Sequence, residues 1–522
     1  MIERWIILAA EEAGPVSNKM GGIWNVVDAE ATTLARLMAK GEIDSEFRIL
    51  LAGPNYPTSG SDWNTGRNRV TDISSFSRLE MGEELGKTLA ELNSLGIESV
   101  TGQRVEDGVP IGYVLFNTNY YQSRLVRWKN QEMTLNNAIK TEAFDLLGLD
   151  SMRFEKEHYG WEYNHYLNLS YAISELVRIL AQSHEEGAKK YVDRAVAEFA
   201  RSVMPKVRVS LHCHEFGVFY AAARLEKLGI PVRTLCTLHA TVPGRTAGYR
   251  SLEKIRKNDS KMEPGTPLGF AALEALARYA DGVTFVGDST MKEAMLFHRL
   301  KGVVIRNGID VRSNRIDWDK KERCRARIQD FIIENLYKNC DGSCPQRENI
   351  IPIFSISRIE IENKGYPQLL DALVLQDHLL RHRMIGQRYA DQTRVVCFII
   401  AAHGPKPREK LPEGFPINLP IEVLVGDEIR LENMINERRL SKNELVSGRR
   451  AVAAILYPQW LGPNDGGLGM RTDELMAGCV AGIFPSQYEP FLLTALEAGR
   501  EGTPSIVSRS AGYSDALKKV EH

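Results

Sequence analysis

Nowhere in the 522 residues is there a run of about 18 apolar residues, so no segment reads as a membrane-spanning helix. The first apolar stretch, WIILAA at 5–10, is too short for a secretory leader and runs straight into acids. Excess charge is missing as well. With 66 basic against 67 acidic residues the formal net charge is -1, so no global field draws in nucleic acid or an anionic membrane. Any polyanion site must be local. The seven cysteines, at 213, 236, 324, 340, 344, 397 and 479, are odd in number and widely spread, and five sit in or beside apolar runs or helical stretches, as buried free thiols do. Cys340 and Cys344 lie close together in CDGSC, but no second pair completes a zinc site. Internal repeats and low-complexity tracts are absent too. The chain reads as cytosolic.

What is present is globular: 43% hydrophobic and 25% charged residues, in a length that calls for more than one core. Short β-branched runs alternate with helical patterns over most of the chain. That alternation predicts an α/β protein of parallel sheets covered by helices. One set of strands comprises 4–10, 47–53, 112–116, 207–213, 232–237, 283–287 and 303–307. The second comprises 350–357, 394–402, 421–425, 452–458, 480–486 and 504–508. The expected organisation is a Rossmann-like domain over 1–312 with a largely helical insertion at 118–203, a helical linker at 313–349, and a second Rossmann-like domain over 350–522. Two doubly wound domains facing across a cleft would take ligands at the carboxyl ends of their strands.

The most informative stretch is FPSQYEPFLLTALEAG at 484–499. An apolar strand ends in a polar turn, and a helix opens behind it, presenting unpaired N–H groups to an anion. Glu489 stands in the turn and Glu497 one helical stretch beyond. Acids on either side of an anion suit a sugar nucleotide, one for the sugar and one for the ribose. By itself the same pattern is also an ordinary helix start. NKMGGIWNVV (18–27) places Gly21 and Gly22 ahead of an amphipathic helix, where phosphate can approach backbone amides, with Lys19 adding charge. VRVSLHC runs into HEF, so His212, His214 and Glu215 meet at a strand end. A metal there needs a third ligand that the spacing does not supply, and sugar hydroxyl contacts or plain hydrogen bonds are the readier use. TLHATVPGR (237–245) and SISRIEIENKG (355–365) carry His239, Arg245, Arg358 and Lys364 on loops after strands. Cations from both domains could converge on a diphosphate and neutralise the charge growing on a departing nucleotide. DWD at 317–319 has no preceding strand and reads as a helix start; no metal or other cofactor is implied.

Taken together, NKMGGIWNVV, LHCHEF, TLHATVPGR, VIRNGIDV, SRIEIENKG, PQWLGPNDGGLGMRTDELMAGCVAGIFPSQYEP and TALEAGREGTPSIVSRSAGY resemble the UDP-glucose-dependent glycogen synthases of fungi and animals. These are retaining glycosyltransferases of the two-domain GT-B fold. The resemblance implies a UDP-glucose donor and an α-glucan acceptor. Arg245, Arg358 and Lys364 would hold the donor diphosphate, and His239 would contact the transferring glucose. Glu489 would bind sugar hydroxyls and steady the cationic sugar, and Glu497 would hold the ribose. Gly22 would lie beside the phosphates, Asn307 below the donor, and the amides of Leu492, Leu493 and Thr494 would cap the phosphates. At 492 and 493 the family has glycine and tyrosine, so Leu492 puts a Cβ where backbone passes close to phosphate. The family's long helical insertion for tetramers is much shortened at 404–450, so oligomeric state does not transfer. The sequence ends soon after SAGY, and regulation by glucose 6-phosphate is not expected. Two other readings stay open: hexosyl transfer to a small acceptor, and a sugar-nucleotide or glucan binder without turnover.

Overall fold

The β-branched runs become strands of two parallel sheets in a computed structural model. It describes residues 3–19, 21–56, 71–74, 77–79, 82–182, 207–309, 311, 315–338, 344–382, 384, 392–401, 411–412, 414–417 and 419–518. The chain divides into two units, Met1–Asp310 and Val311–His522. Among the described residues no helix is long and apolar enough to cross a membrane.

The first unit opens with β1 (Glu3–Ala10), whose Trp5, Ile7, Leu8, Ala9 and Ala10 are all buried. A strand apolar on both faces belongs in the middle of a parallel sheet. The helix α1 (Gly22–Ala39) follows, burying Val27, Ala31, Ala35 and Met38 at the spacing of one helical face. Next come β2 (Phe47–Pro54), β3 (Ser99–Glu106) and β4 (Val109–Phe116). A small hairpin, β5 (Leu125–Trp128) with β6 (Gln131–Thr134), precedes the deeply buried helix α2 (Gly160–Ala181). Then follow β7 (Val207–His214), β8 (Arg233–Leu238), β9 (Gly282–Phe285) and the two-residue β10 (Val303–Val304). The sheet order is β10-β9-β8-β7-β1-β2-β4-β3, parallel except for the β3–β4 pair. Chain order reverses at β1, which lies between β2 and β7.

Two features depart from the sequence reading here. β3 was not foreseen; it is joined to β4 by Asp107 and Gly108, both at positive φ (49° and 82°), a tight hairpin turn. The insertion expected at 118–203 is largely helical in its described part but carries the β5–β6 hairpin, whose turn residues Lys129 and Asn130 also have positive φ. Its part from 183 onward lies outside the described residues, as does Cys340.

The second unit begins with α3 (Trp318–Leu336), capped by the Asp317 side chain accepting from Lys320 N at 2.8 Å, so DWD is a helix start. This helix is no free linker. Ile328, Ile332 and Leu336 are buried in the second unit's core because its apolar stripe has a sheet to cover. Strand β11 (Ile350–Ile356) and helix α4 (Tyr366–Arg381) follow, then β12 (Arg394–Ile400) and β13 (Val452–Tyr457). Helix α5 (Thr472–Gly478), β14 (Ala481–Phe484), helix α6 (Leu493–Arg500) and β15 (Ser505–Val507) complete the wound part. The stretch 421–425, expected as a strand, is instead a 3-10 turn at Ile421–Val423 with Ile421 and Val425 exposed.

The order β13-β12-β11-β14-β15 is fully parallel. Read in the unit's own strand order it is 3-2-1-4-5, the Rossmann arrangement, with the switch point between β11 and β14. Both units are thus doubly wound, the fold class read from the sequence. At the second switch point the loop after β11 is tied to the turn after β14. Gln487 N donates to Asn363 O at 2.7 Å. Gly365, at φ +69°, lies so close that a Cβ there would stand 2.2 Å from the Pro485 carbonyl oxygen. Gly365→Ala should therefore cost about 2–4 kcal/mol, combining left-handed strain with a backbone clash. Gly229 has φ +65° but open space around it, so Gly229→Ala should pay only the strain, about 1–2 kcal/mol. Urea unfolding of the two variants checks the difference.

Candidate active site

Each unit gathers its expected site residues at the carboxyl ends of its central strands. In the second unit, β11 leads into Arg358 and Lys364, and β14 leads into Glu489. Lys364 Nζ donates to Glu489 Oε2 at 2.7 Å, with side-chain exposures of 10% and 19%. Such a shielded pair lasts because each charge answers the other; removing one strands its partner. The Glu489 turn is held from behind, where Gly512 N donates to Glu489 O at 3.0 Å. Arg358 does not join this pair. Its guanidinium, 66% exposed, lies 3.1 Å from Glu360. Beyond the turn, Leu492 caps α6 with φ +85° and ψ 67°, left-handed geometry that glycine adopts far more readily. Leu492 is buried, while Leu493, Thr494 and Glu497 are half-buried along the first turns of α6.

In the first unit, β7 ends in His212, His214 and Glu215, and β8 ends beside His239. Arg245 lies on the short helix Val242–Ala247. Glu215, itself at φ +70°, accepts from His239 N at 2.9 Å and from Arg245 Nη2 at 3.0 Å. Burial pushes the Glu215 carboxyl up to about 7, against the pull of Arg245. His214 Nδ1 and His239 Nε2 are 3.1 Å apart, and both rings are buried. Burial, with His212 nearby, lowers His214 to about 4. Burial and the neighbouring His214 likewise hold His239 well below the usual imidazole range, so both stay neutral near pH 7.

The α1 start brings in Gly21, Gly22 and Lys19. A carboxylate sits there: Glu12 accepts from Gly21 N at 2.8 Å and from Trp24 N at 3.1 Å. Those amides suit an anion, as the sequence suggested, and the fold supplies one of its own. Lys19 Nζ lies 5.3 Å from the centre of the Trp24 ring. Asn307 is half-buried in the loop after β10.

Sequence reasoning missed two acids. Glu12 directly follows β1, where an EE pair after a central parallel strand was the available signal. Glu30 comes from the third turn of α1, and His212 Nδ1 bonds its Oε1 at 2.8 Å across 182 residues of sequence. No local pattern reveals that contact. Burial would raise Glu30, but the His212 bond and the nearness of His214 outweigh it and hold the carboxyl well below its usual range.

The first unit thus offers a cation, neutral imidazoles and an amide-lined helix start, and the second offers a shielded lysine–glutamate pair beside another helix start. Chemically these are groups for a phosphate ester and for a polar ligand with hydroxyls. The human liver glycogen [starch] synthase is 24% identical over 574 residues, covering 97% of this chain and 72% of its own length. Glycogen [starch] synthase isoform 1 of Saccharomyces cerevisiae is 23% identical, covering 97% of this chain and 74% of its own length. Among solved structures, the catalytic domain of starch synthase IV from Arabidopsis thaliana, bound to ADP and acarbose, matches with a TM-score of 0.46 and 15% identity, covering 99% of this chain and 84% of that one. Residues 11–406 match the family profile described as glycogen synthase, and the chain belongs to that family.

Proposed function

We propose that this glycosyltransferase moves glucose from UDP-glucose to the non-reducing 4-hydroxyl of an α-1,4-glucan, with retention at the anomeric carbon. The observation that carries the reading is the Lys364–Glu489 pair at the second unit's switch point. When the bond from the anomeric carbon to the diphosphate breaks, its electron pair leaves with UDP and the sugar ring becomes positive. Fixed groups of opposite sign must meet both charges. In this reading Lys364, Arg358 and Arg245 meet the diphosphate. Glu489 faces the ring, and neutral His239 binds it without adding like charge. The acceptor oxygen bonds to the anomeric carbon on the face that UDP leaves, and its proton passes to a departing phosphate oxygen. The amides of Leu492, Leu493 and Thr494 cap the phosphates, Gly21, Gly22 and Lys19 border them, and Glu497 holds the ribose. Asn307, His214 and Glu215 support the donor from the first unit.

Leu492 favours keeping a second reading in view. A left-handed leucine at a phosphate-capping position keeps a Cβ near the ligand, which suits either another hexose donor with a small acceptor or binding without turnover. Incubation with labelled UDP-glucose and glycogen separates these readings. Label in polymer supports glucan extension, label in oligosaccharide points to a small acceptor, and UDP-glucose binding with no UDP release overturns catalysis.

Two variants probe the roles. Glu489→Gln keeps shape but removes charge, and should lower kcat about 100–1,000-fold while changing the donor KM less than about tenfold. Equal losses in both would remove Glu489 from the transition state. Leu492→Gly should lower stability by about 1–3 kcal/mol, since lost burial exceeds the relief of backbone strain. It should also lower the donor KM, measured alongside thermal unfolding; an unchanged KM would place the phosphates away from residue 492.

A further inference from the structure

We propose that Glu30, His212 and His214 form a binding site for a divalent transition-metal ion, with Zn2+ the best match. The sequence supplies two of the ligands from alternate positions of β7, which face one side of the sheet. The fold supplies the third from α1. One ligand atom from each residue lies within 4.8 Å of the others. Glu30 Oε1 is 2.8 Å from His212 Nδ1, and Glu30 Oε2 is 3.2 Å from His214 Nε2. Around a tetrahedral ion with metal–ligand bonds of about 2.0–2.2 Å, neighbouring donors stand roughly 3.3–3.6 Å apart. The three side chains lie close enough for small rotations to reach that spacing.

A second observation concerns His214. Its side chain is only 1% exposed, and Nε2 points into the cluster without an aligned hydrogen-bond partner, despite the carboxylate oxygen at 3.2 Å. In a purely hydrogen-bonded His–Glu–His group, that buried nitrogen would be directed at the carboxylate. A cation seated between this nitrogen and the carboxylate would give both a ligand bond.

The outer contacts match those of ligating histidines, whose far nitrogens are usually fixed by a second partner. His212 Nε2 lies 2.7 Å from Thr237 Oγ1, which in turn lies 2.5 Å from Thr284 Oγ1. His214 Nδ1 lies 3.1 Å from His239 Nε2. Two imidazoles and one carboxylate select zinc-like ions over Mg2+ and Ca2+, which take mainly oxygen. With Glu30 30% and His212 15% exposed, one side remains open to an incoming ion and to an exchangeable water. An ion there would fix the His214 ring, and through it the ring of His239. The proposal does not depend on which sugar nucleotide the enzyme uses.

The test uses the full chain, stripped with a chelator and titrated with Zn2+ by calorimetry and with Co2+ by visible absorption. One equivalent should bind each protein molecule, with a Co2+ spectrum of nitrogen–oxygen coordination that Zn2+ displaces. Glu30→Gln, which keeps size and hydrogen bonding, should weaken binding at least about 100-fold, and Thr237→Val about tenfold. Zn2+ should raise the thermal unfolding midpoint of the unaltered protein and leave that of Glu30→Gln unmoved. His212→Ala offers a separate check should Glu30→Gln fold poorly. No stoichiometric binding, or binding that survives both Glu30→Gln and His212→Ala, would overturn the proposal.

Discussion

The reversal of strand order at the middle of each sheet is the constraint from which the site chemistry follows. Connections leaving adjacent strands toward opposite faces cannot close over the strand ends, so a crevice remains there. In the second unit the reversal lies between β11 and β14, and this is why residues 125 positions apart, Lys364 and Glu489, form one ion pair. The tight seating of Gly365 under Pro485 and the amide bond from Gln487 to Asn363 hold the two loops in register. In the first unit the reversal at β1 brings the α1 start, the end of β7 and the end of β8 to the same edge.

A shared electrostatic pattern runs through both units. Four of the cationic or amide-rich groups in the proposed site are matched by a carboxylate of the protein. Lys364 has Glu489, Arg358 has Glu360, Arg245 has Glu215, and the amides at the start of α1 have Glu12. A diphosphate bound as proposed would compete with internal partners, and its binding free energy would be the difference between two sets of charge-assisted bonds. Partly shielded lysine and arginine are otherwise hard to keep charged away from water.

Much of this architecture could be read from the sequence because parallel sheets advertise themselves in continuous apolar runs. Every strand of the second sheet has such a run. The strand ends that carry His239, Arg245, Arg358, Lys364 and Glu489 were legible for the same reason. β3 was not, because SVTGQRVE alternates weakly; its signal was the Asp107–Gly108 turn. Residues 421–425 show the converse error, a β-branched run without a neighbour. Helix α3 looked like a linker because its charged residues outnumber the apolar stripe that seats it. Glu12 and Glu30 escaped because both act through contacts made only after folding, one across a turn and one between a helix and a strand. The left-handed backbone at Leu492 was not anticipated, since nothing about a leucine announces positive φ.

The Glu12 carboxylate gives the α1 start a tethered competitor. Because it is covalently attached, its local concentration at the amides of Gly21 and Trp24 far exceeds that of free chloride or orthophosphate. A lone small anion gains only what it displaces, whereas a ligand anchored elsewhere pays the exchange from its remaining contacts. In the proposed function the helix start would then act as a filter, rejecting simple salts and taking a phosphate only when the rest of a larger molecule arrives with it.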